Sequence, residues 1–443
     1  MKLIKKVFAL TMALLLLVPS VSMAHAESGP TAKTPAADLR ATLSELLSNH
    51  FVYQTISMTK TYDDAEDTEA INQALERNAN DLTKAIQSIY GKEGAAQFEK
   101  IFDSQYEETP GLAEAVKSGD KEAEEKAKQQ LLQQFPQELG TFLSEATGGN
   151  LPADTAEKVL RAHEQDVQDV FYAYVNEDYK KAYQSFRTGF DRMFDISKAL
   201  SGAIVNQKPD QFNHTKVDTK AADLRSTLNS LASEHFALAT LEMQKGFDQA
   251  KDYDFVTWAE DQQTADFKGA IASIYGQEAA DQFEKIWQKD HIAAQSKVVA
   301  ATLQEQNDER KDAEQRLKDF SQQFGMFLSQ ATEGNLPEDA AKEAIWMHEE
   351  DVLQTFDQYV NGEYEATYES FDEGFAYMFG VGEMLSEAVV TSMPDEYSMM
   401  PSEMPDTGLG GSEQNGFLWM WITFASLVVL SGGVLASRSN KKA

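Results

Sequence analysis

The sequence predicts an all-α protein built from two tandem up-and-down helical-bundle repeats, and three observations lead there. Apolar residues recur at spacings of three and four over long stretches, the mark of one helix face. No segment alternates with period two for long enough to suggest a sheet. One unit is used twice: SIYGKEGAAQFEKIF at Ser88 matches SIYGQEAADQFEKIW at Ser273, and FLSEATGGNLPADTA at Phe142 matches FLSQATEGNLPEDAA at Phe327. Each pair is identical at 11 of 15 positions, and both pairs are offset by 185 residues. Such agreement far exceeds compositional similarity, so the copies are true repeats.

The same offset joins Asp38 to Asp223 and Pro209 to Pro394, so no net insertion separates the copies. The repeats then occupy 34–213 and 219–397, with a linker at 214–218. A first helix carries Leu39, Leu43, Leu46, His50 and Tyr53 on one face. A second carries Ile71, Leu75, Asn78, Leu82, Ala85 and Ile89, and Gly91 can end it. A third begins near Lys92 with Phe98, Phe102 and Tyr106; a fourth holds Leu132, Phe135, Leu139 and Phe142. Gly149-Asn150-Leu151-Pro152 breaks the chain before a fifth with Ala156, Val159, His163, Val167, Val170 and Tyr174. The sixth shows Tyr179, Tyr183, Phe186, Phe190, Met193 and Leu200. Short connections favour antiparallel neighbours, so each copy is expected to be a bundle holding its own core.

The two ends read as addresses. Lys2, Lys5 and Lys6 precede the apolar run Val7 to Val18, and Ala24-His25-Ala26 supplies a small-residue cleavage site. That pattern is a secretory signal peptide over 1–26, followed by a short segment at 27–33. At the other end, 417–436 is uncharged and long enough to cross a bilayer, with Arg438, Lys441 and Lys442 directly after it. Upstream stands Met404-Pro405-Asp406-Thr407-Gly408, closing a short stalk at 398–407. Pentapeptide, apolar span and basic tail in that order resemble the cell-wall sorting signal of Gram-positive surface proteins, whose pentapeptide is LPxTG. The resemblance implies that a sortase cleaves between Thr407 and Gly408, joins Thr407 to peptidoglycan and discards 408–443. Met404 departs from the Leu of that pattern, but it is apolar and of similar size.

Losing the signal removes three lysines; losing the tail removes Arg438, Lys441, Lys442 and Glu413. The net charge therefore moves from −33 to −38. So acidic a chain is solvated and self-repelling, and poorly suited to nucleic acid or anionic lipid. With no cysteine, it has neither a disulfide brace nor a thiol for catalysis or metal binding.

Histidine is the informative residue. His50 matches His235 and His163 matches His348 across the repeats, and all four lie in apolar stripes near mid-helix. His291 lies similarly with Phe283, Trp287, Ala294 and Val298, where the offset puts Tyr106 in the first copy. Asn78 and Gln263 sit at the middle of their helices. Antiparallel helices of similar length align their midpoints, so these groups can meet at one level. Two readings stand. One is a buried hydrogen-bonded layer that fixes register. The other is a transition-metal or haem site, in which His235, His291 and His348 supply nitrogens to copper or zinc and Met243 or Met378 adds a thioether if the ion is copper.

No catalytic motif is present. Neither HExxH, an EF-hand loop, GxSxG nor a phosphate-binding loop occurs, and no Glu stands three residues before any His, as a di-iron bundle requires. The run His348-Glu349-Glu350-Asp351 reads as charge facing solvent, and Tyr172, Tyr174, Tyr179 and Tyr183 as core rather than a sugar groove. The HF…MxK and SIYG patterns resemble helical modules of secreted Gram-positive proteins that carry a copper amine oxidase label. A true copper amine oxidase needs an Asn-Tyr quinone precursor and an HxH pair, and this chain has neither. The resemblance therefore implies a copper association without the oxidase activity. The expected function is a wall-anchored, non-enzymatic surface protein, binding or structural, with metal capture as the alternative and an extracellular enzyme such as a copper oxidase as a third reading.

Overall fold

Thr34 and Thr219 open the two copies in the same way. Each hydroxyl accepts a hydrogen bond from the backbone N–H three residues on, capping a long helix. In the computed structural model, which describes residues 29–398, these are α1 (Pro35–Asp63) and α7 (Lys220–Phe247). The signal peptide, the sorting motif Met404 to Gly408 and the span 417–436 lie outside the described residues. No helix among the described residues is long and apolar enough to cross a membrane.

The first repeat continues through α2 (Thr68–Ser118), α3 (Lys121–Gln129), α4 (Phe135–Ala146), α5 (Ala153–Val175) and α6 (Tyr179–Gln207). The second continues through α8 (Tyr253–Tyr275), α9 (Gln277–Ile286), α10 (Ala293–Leu303), α11 (Asn307–Ala331), α12 (Glu338–Val360) and α13 (Tyr364–Ser392), with a last turn, α14 (Pro394–Ser398). No strand occurs among the described residues. Each repeat is an up-and-down helical bundle, as the periodicity requires. Gly91 and Gly276 both take positive φ, so α2 is kinked where the second repeat breaks into α8 and α9. The fourth predicted helix begins earlier than Leu132, because α3 runs into α4 through a π turn at Gln130–Gln134.

The cores are partly separate and partly shared. One apolar cluster belongs to the first repeat and the linker, another wholly to the second. The largest draws on both repeats. Its centre is a local twofold, since the contacts pair residues 185 apart. Phe194 stacks on Phe379 at 6.1 Å, and Phe190 meets Phe375 edge-on at 6.4 Å. Arg40 binds Asp223 at 2.6 Å while Arg225 binds Asp38 at 2.5 Å. Tyr183 donates to Asp252 at 3.0 Å while Tyr368 donates to Asp67 at 2.7 Å. The repeats thus pair like the halves of an isologous dimer. The expectation of self-contained cores holds for the outer clusters and not for this one.

The segment before α1 does for the second repeat what the linker does for the first. Arg225 donates to the Ala32 carbonyl as Arg40 donates to that of Val217, and Thr31 and Ala32 both donate to Glu387 of α13. Both described chain ends therefore meet at one pole. Since α1 is about 43 Å long at 1.5 Å per residue, the opposite pole lies that far away.

Candidate metal centre

His235 sits at the middle of α7, where Leu231 to Gln244 are all buried. Around it come Glu260 and Gln263 from α8, His291 from a π turn at Trp287–Ile292, Gln295 from α10, and His348 with Glu349 from α12. His235, His291 and His348 each offer a nitrogen, and the three nitrogens lie within 4.8 Å of one another. The structure thus brings together the three imidazoles that the sequence singles out. His235 Nε2 and His291 Nε2 are 3.0 Å apart. Behind them, His235 Nδ1 lies 2.5 Å from Glu260 Oε1, and His291 Nδ1 lies 2.8 Å from Glu349 Oε1 without hydrogen-bond alignment. Trp287 packs on both rings and Phe320 stacks on His291 at 4.5 Å, so the surroundings are aromatic and buried.

Burial sets the charge states. It pushes His291 and His348 down to about 3 and His235 well below its ordinary value, so the imidazoles are neutral near pH 7. Burial also pushes Glu349 up to about 7 and Glu260 well above the carboxylate range. Neutral imidazole is the form that ligates metal.

Many polar atoms here lack a hydrogen-bond partner. They are both nitrogens of His348, Nδ1 of His291, Oε2 of Glu260 and Oε1 of Gln263, while the Gln295 amide faces the Glu349 carboxyl. Buried polar groups in folded proteins are nearly always paired.

The first repeat builds a related layer that closes on itself more fully. His50 Nδ1 donates to Asn78 Oδ1 at 3.0 Å, because the Asn78 amide is committed to the Leu46 carbonyl and leaves its oxygen as acceptor. Gln105 donates to Glu164 at 2.8 Å. Turning the Gln105 amide over would let it donate to the bare Nε2 of His50 while accepting from a protonated Glu164, whose pKa burial raises to about 8. The chain from Asn78 to Glu164 is then complete. His163 stands at the position of His348, with its ring centre 6.2 Å from that of His50. No third imidazole joins His50 and His163 among the described residues.

Three readings of the sequence are corrected here. Gln105, not Tyr106, occupies the place of His291. The buried set Gln105, Leu112 and Ala113 corresponds to His291, Val298 and Val299, an offset of 186. The π turn at Trp287–Ile292 adds one residue to the second repeat, and the π turn at Gln130–Gln134 adds one to the first. Leu131 therefore still matches Leu317 at 186, while Phe135 matches Phe320 at 185 again. Glu349 is fully buried rather than solvent-facing, and Asp351 is buried too. Met243 lies eight residues from His235 on α7, about 12 Å along the axis, too far to ligate the same ion. Met378 is buried at the position of Met193, which lines a cavity beside His50 and His163. Glu260 went unnoticed in the sequence although it shares a stripe with Val256, Gln263, Phe267 and Ile271, the same signal that marks the histidines.

No family model, curated protein or solved structure matches this chain.

Proposed function

We propose that this chain is an exported, sortase-processed surface protein of a Gram-positive wall whose second bundle holds a transition-metal ion, zinc or copper, without catalysing a reaction. The observation that carries the metal reading is three buried, neutral imidazoles converging in a layer rich in unpaired polar atoms. Two ligand nitrogens at 2.0–2.1 Å from a tetrahedral ion stand roughly 3.3–3.4 Å apart. The observed 3.0 Å between His235 and His291 needs only a few tenths of an ångström of relaxation. The wall reading rests on the sorting motif at Met404 to Gly408, and the common pole of the chain ends suits it. Attachment through Thr407 would leave the far pole pointing outward.

The test is metal analysis of mature protein released from walls and then exposed to Zn²⁺ or Cu²⁺. One retained equivalent per chain, abolished by His348→Ala with the helical signal intact, is the expected result. A folded wild type that retains none overturns the metal reading and leaves the layer structural, as the first repeat's hydrogen-bonded chain illustrates.

A further inference from the structure

The two repeats share one architecture but not one site. Outside the aromatic shell several residues differ between the layers, Gln263 for Asn78 and Gln295 for Thr109 among them, but two exchanges change the groups that ligate or hold an imidazole. Glu260 stands where the first repeat has Leu75, and His291 stands where it has Gln105; all four residues are buried. Resting on the metal reading above, we infer that these two exchanges give the second bundle its metal site and withhold one from the first.

Each exchange has a distinct geometric task. His291 supplies the third nitrogen, and no other imidazole in either bundle can replace it. Glu260 orients His235. In the first repeat Asn78 holds His50 by Nδ1 while its amide is tied to the Leu46 carbonyl. The matching Gln263 ties to the matching Leu231 carbonyl at 2.6 Å, yet its oxygen stays unpaired. Glu260 has taken over the hydrogen bond to His235 Nδ1. With a cation bound beside it, Glu260 is favoured as the carboxylate, which accepts from Nδ1–H, fixes the tautomer that leaves Nε2 bare toward His291, and makes that nitrogen a better donor to a metal than an amide can. Glu260 is therefore a positioning residue and His291 a ligand.

The experiment uses the full mature chain, with Zn²⁺ and Cu²⁺ as probes, competition titration for affinity and metal analysis for stoichiometry. Glu260→Leu installs the residue that the first repeat tolerates. It should weaken binding about 10- to 100-fold, with Glu260→Gln falling between it and wild type. Nitrogen-15 spectra should show His235 losing its Nδ1–H preference, a change that mere loosening of the fold would not produce. Gln105→His should raise the stoichiometry from one equivalent toward two, and Leu75→Glu added to it should tighten the new site. If wild type binds one equivalent while both Glu260 variants bind within about twofold of it and Gln105→His still binds one, the assignment is overturned. A wild type that binds none instead removes the underlying metal reading. Should Gln105→His fail to fold, as judged by its helical signal, the affinity and tautomer of the Glu260 variants decide the matter alone.

Discussion

Beneath the His50 and His163 layer lies a cavity of about 50 Å³, lined almost wholly by apolar side chains including Leu82, Phe102, Leu139 and Met193. The second repeat puts larger residues at three matching positions: Phe267 for Leu82, Trp287 for Phe102 and Phe324 for Leu139, all buried. The perturbation that copies this difference is Leu82→Phe with Leu139→Phe. Each exchange adds roughly 25 Å³ of side chain, so together they add about the volume of the void. A residual cavity costs about 24 cal/mol per Å³, so this one costs about 1.2 kcal/mol. The double variant should recover about 1 kcal/mol if both rings enter without strain.

Urea unfolding of metal-free protein measures this, read as a higher midpoint at unchanged slope. Loss of 1 kcal/mol or more would refute the reasoning, because overpacking a closed core costs about 1–3 kcal/mol. It would mean that the bundle has relaxed into the space. Phe102→Trp is the contrasting arm, since Phe102 already packs on His50 at 5.0 Å and a larger ring there presses on the layer. It should be neutral or costly while the leucine pair is favourable.

Residues 34–213 expressed alone should form a homodimer by sedimentation, because Phe190 and Phe194 lose Phe375 and Phe379 and the local twofold lets a second copy replace them; a stable monomer would contradict the shared core. Gly374→Ala should cost about 1–3 kcal/mol in the urea midpoint, since its Cβ would stand 2.3 Å from the Phe236 ring and 3.2 Å from Asp351 Cβ, and Gly189→Ala should match it through Phe51. Burial raises Glu164 to about 8 from 4.5, so it contributes stability that is present below pH 4.5 and lost as pH rises toward 8. Glu164→Gln should flatten that limb by up to about 1.4 kcal/mol per pH unit. The limb opposing it comes from His50, lowered to about 4 by burial, whose contribution is present above pH 6.5 and lost as pH falls toward 4. Thr407→Ala should move the protein from wall digests to membrane or medium in fractionation, and unchanged wall attachment would contradict the sorting reading.

Repetition made the fold legible, and repetition also hid part of the site. Equal offsets at both ends of the repeat imply one register throughout. Two single-residue additions, one in each copy, cancel outside the stretch between them and shift everything within it. A π turn has no compositional signature here, so WQKDHI reads like ordinary helix, and His291 falls opposite Tyr106 instead of Gln105. The shared core did leave a trace. Ser48 to Met58 and Leu231 to Gln244 are buried without interruption, and a helix covered on every side must lie between other layers rather than on a surface. Scoring such a helix by one apolar stripe discards that information.

The polar residues inside those covered stretches carry most of the remaining signal. Histidine in an apolar stripe attracts notice because it is scarce here, whereas glutamate is assigned to the surface by default in a chain this acidic. Glu260 and Glu349 pass that filter only when their own stripes are counted. Val256, Gln263, Phe267 and Ile271 place Glu260 on a buried face, and Ile345, Val352 and Phe356 do the same for Glu349. Two carboxyls on buried faces, each beside an imidazole, cost folding free energy wherever they lack a partner. The first repeat sidesteps the first of these costs with Leu75, which shows that the bundle does not require a carboxyl there. Retaining Glu260 in the second repeat is therefore better explained by what it does to His235 than by any need of the fold.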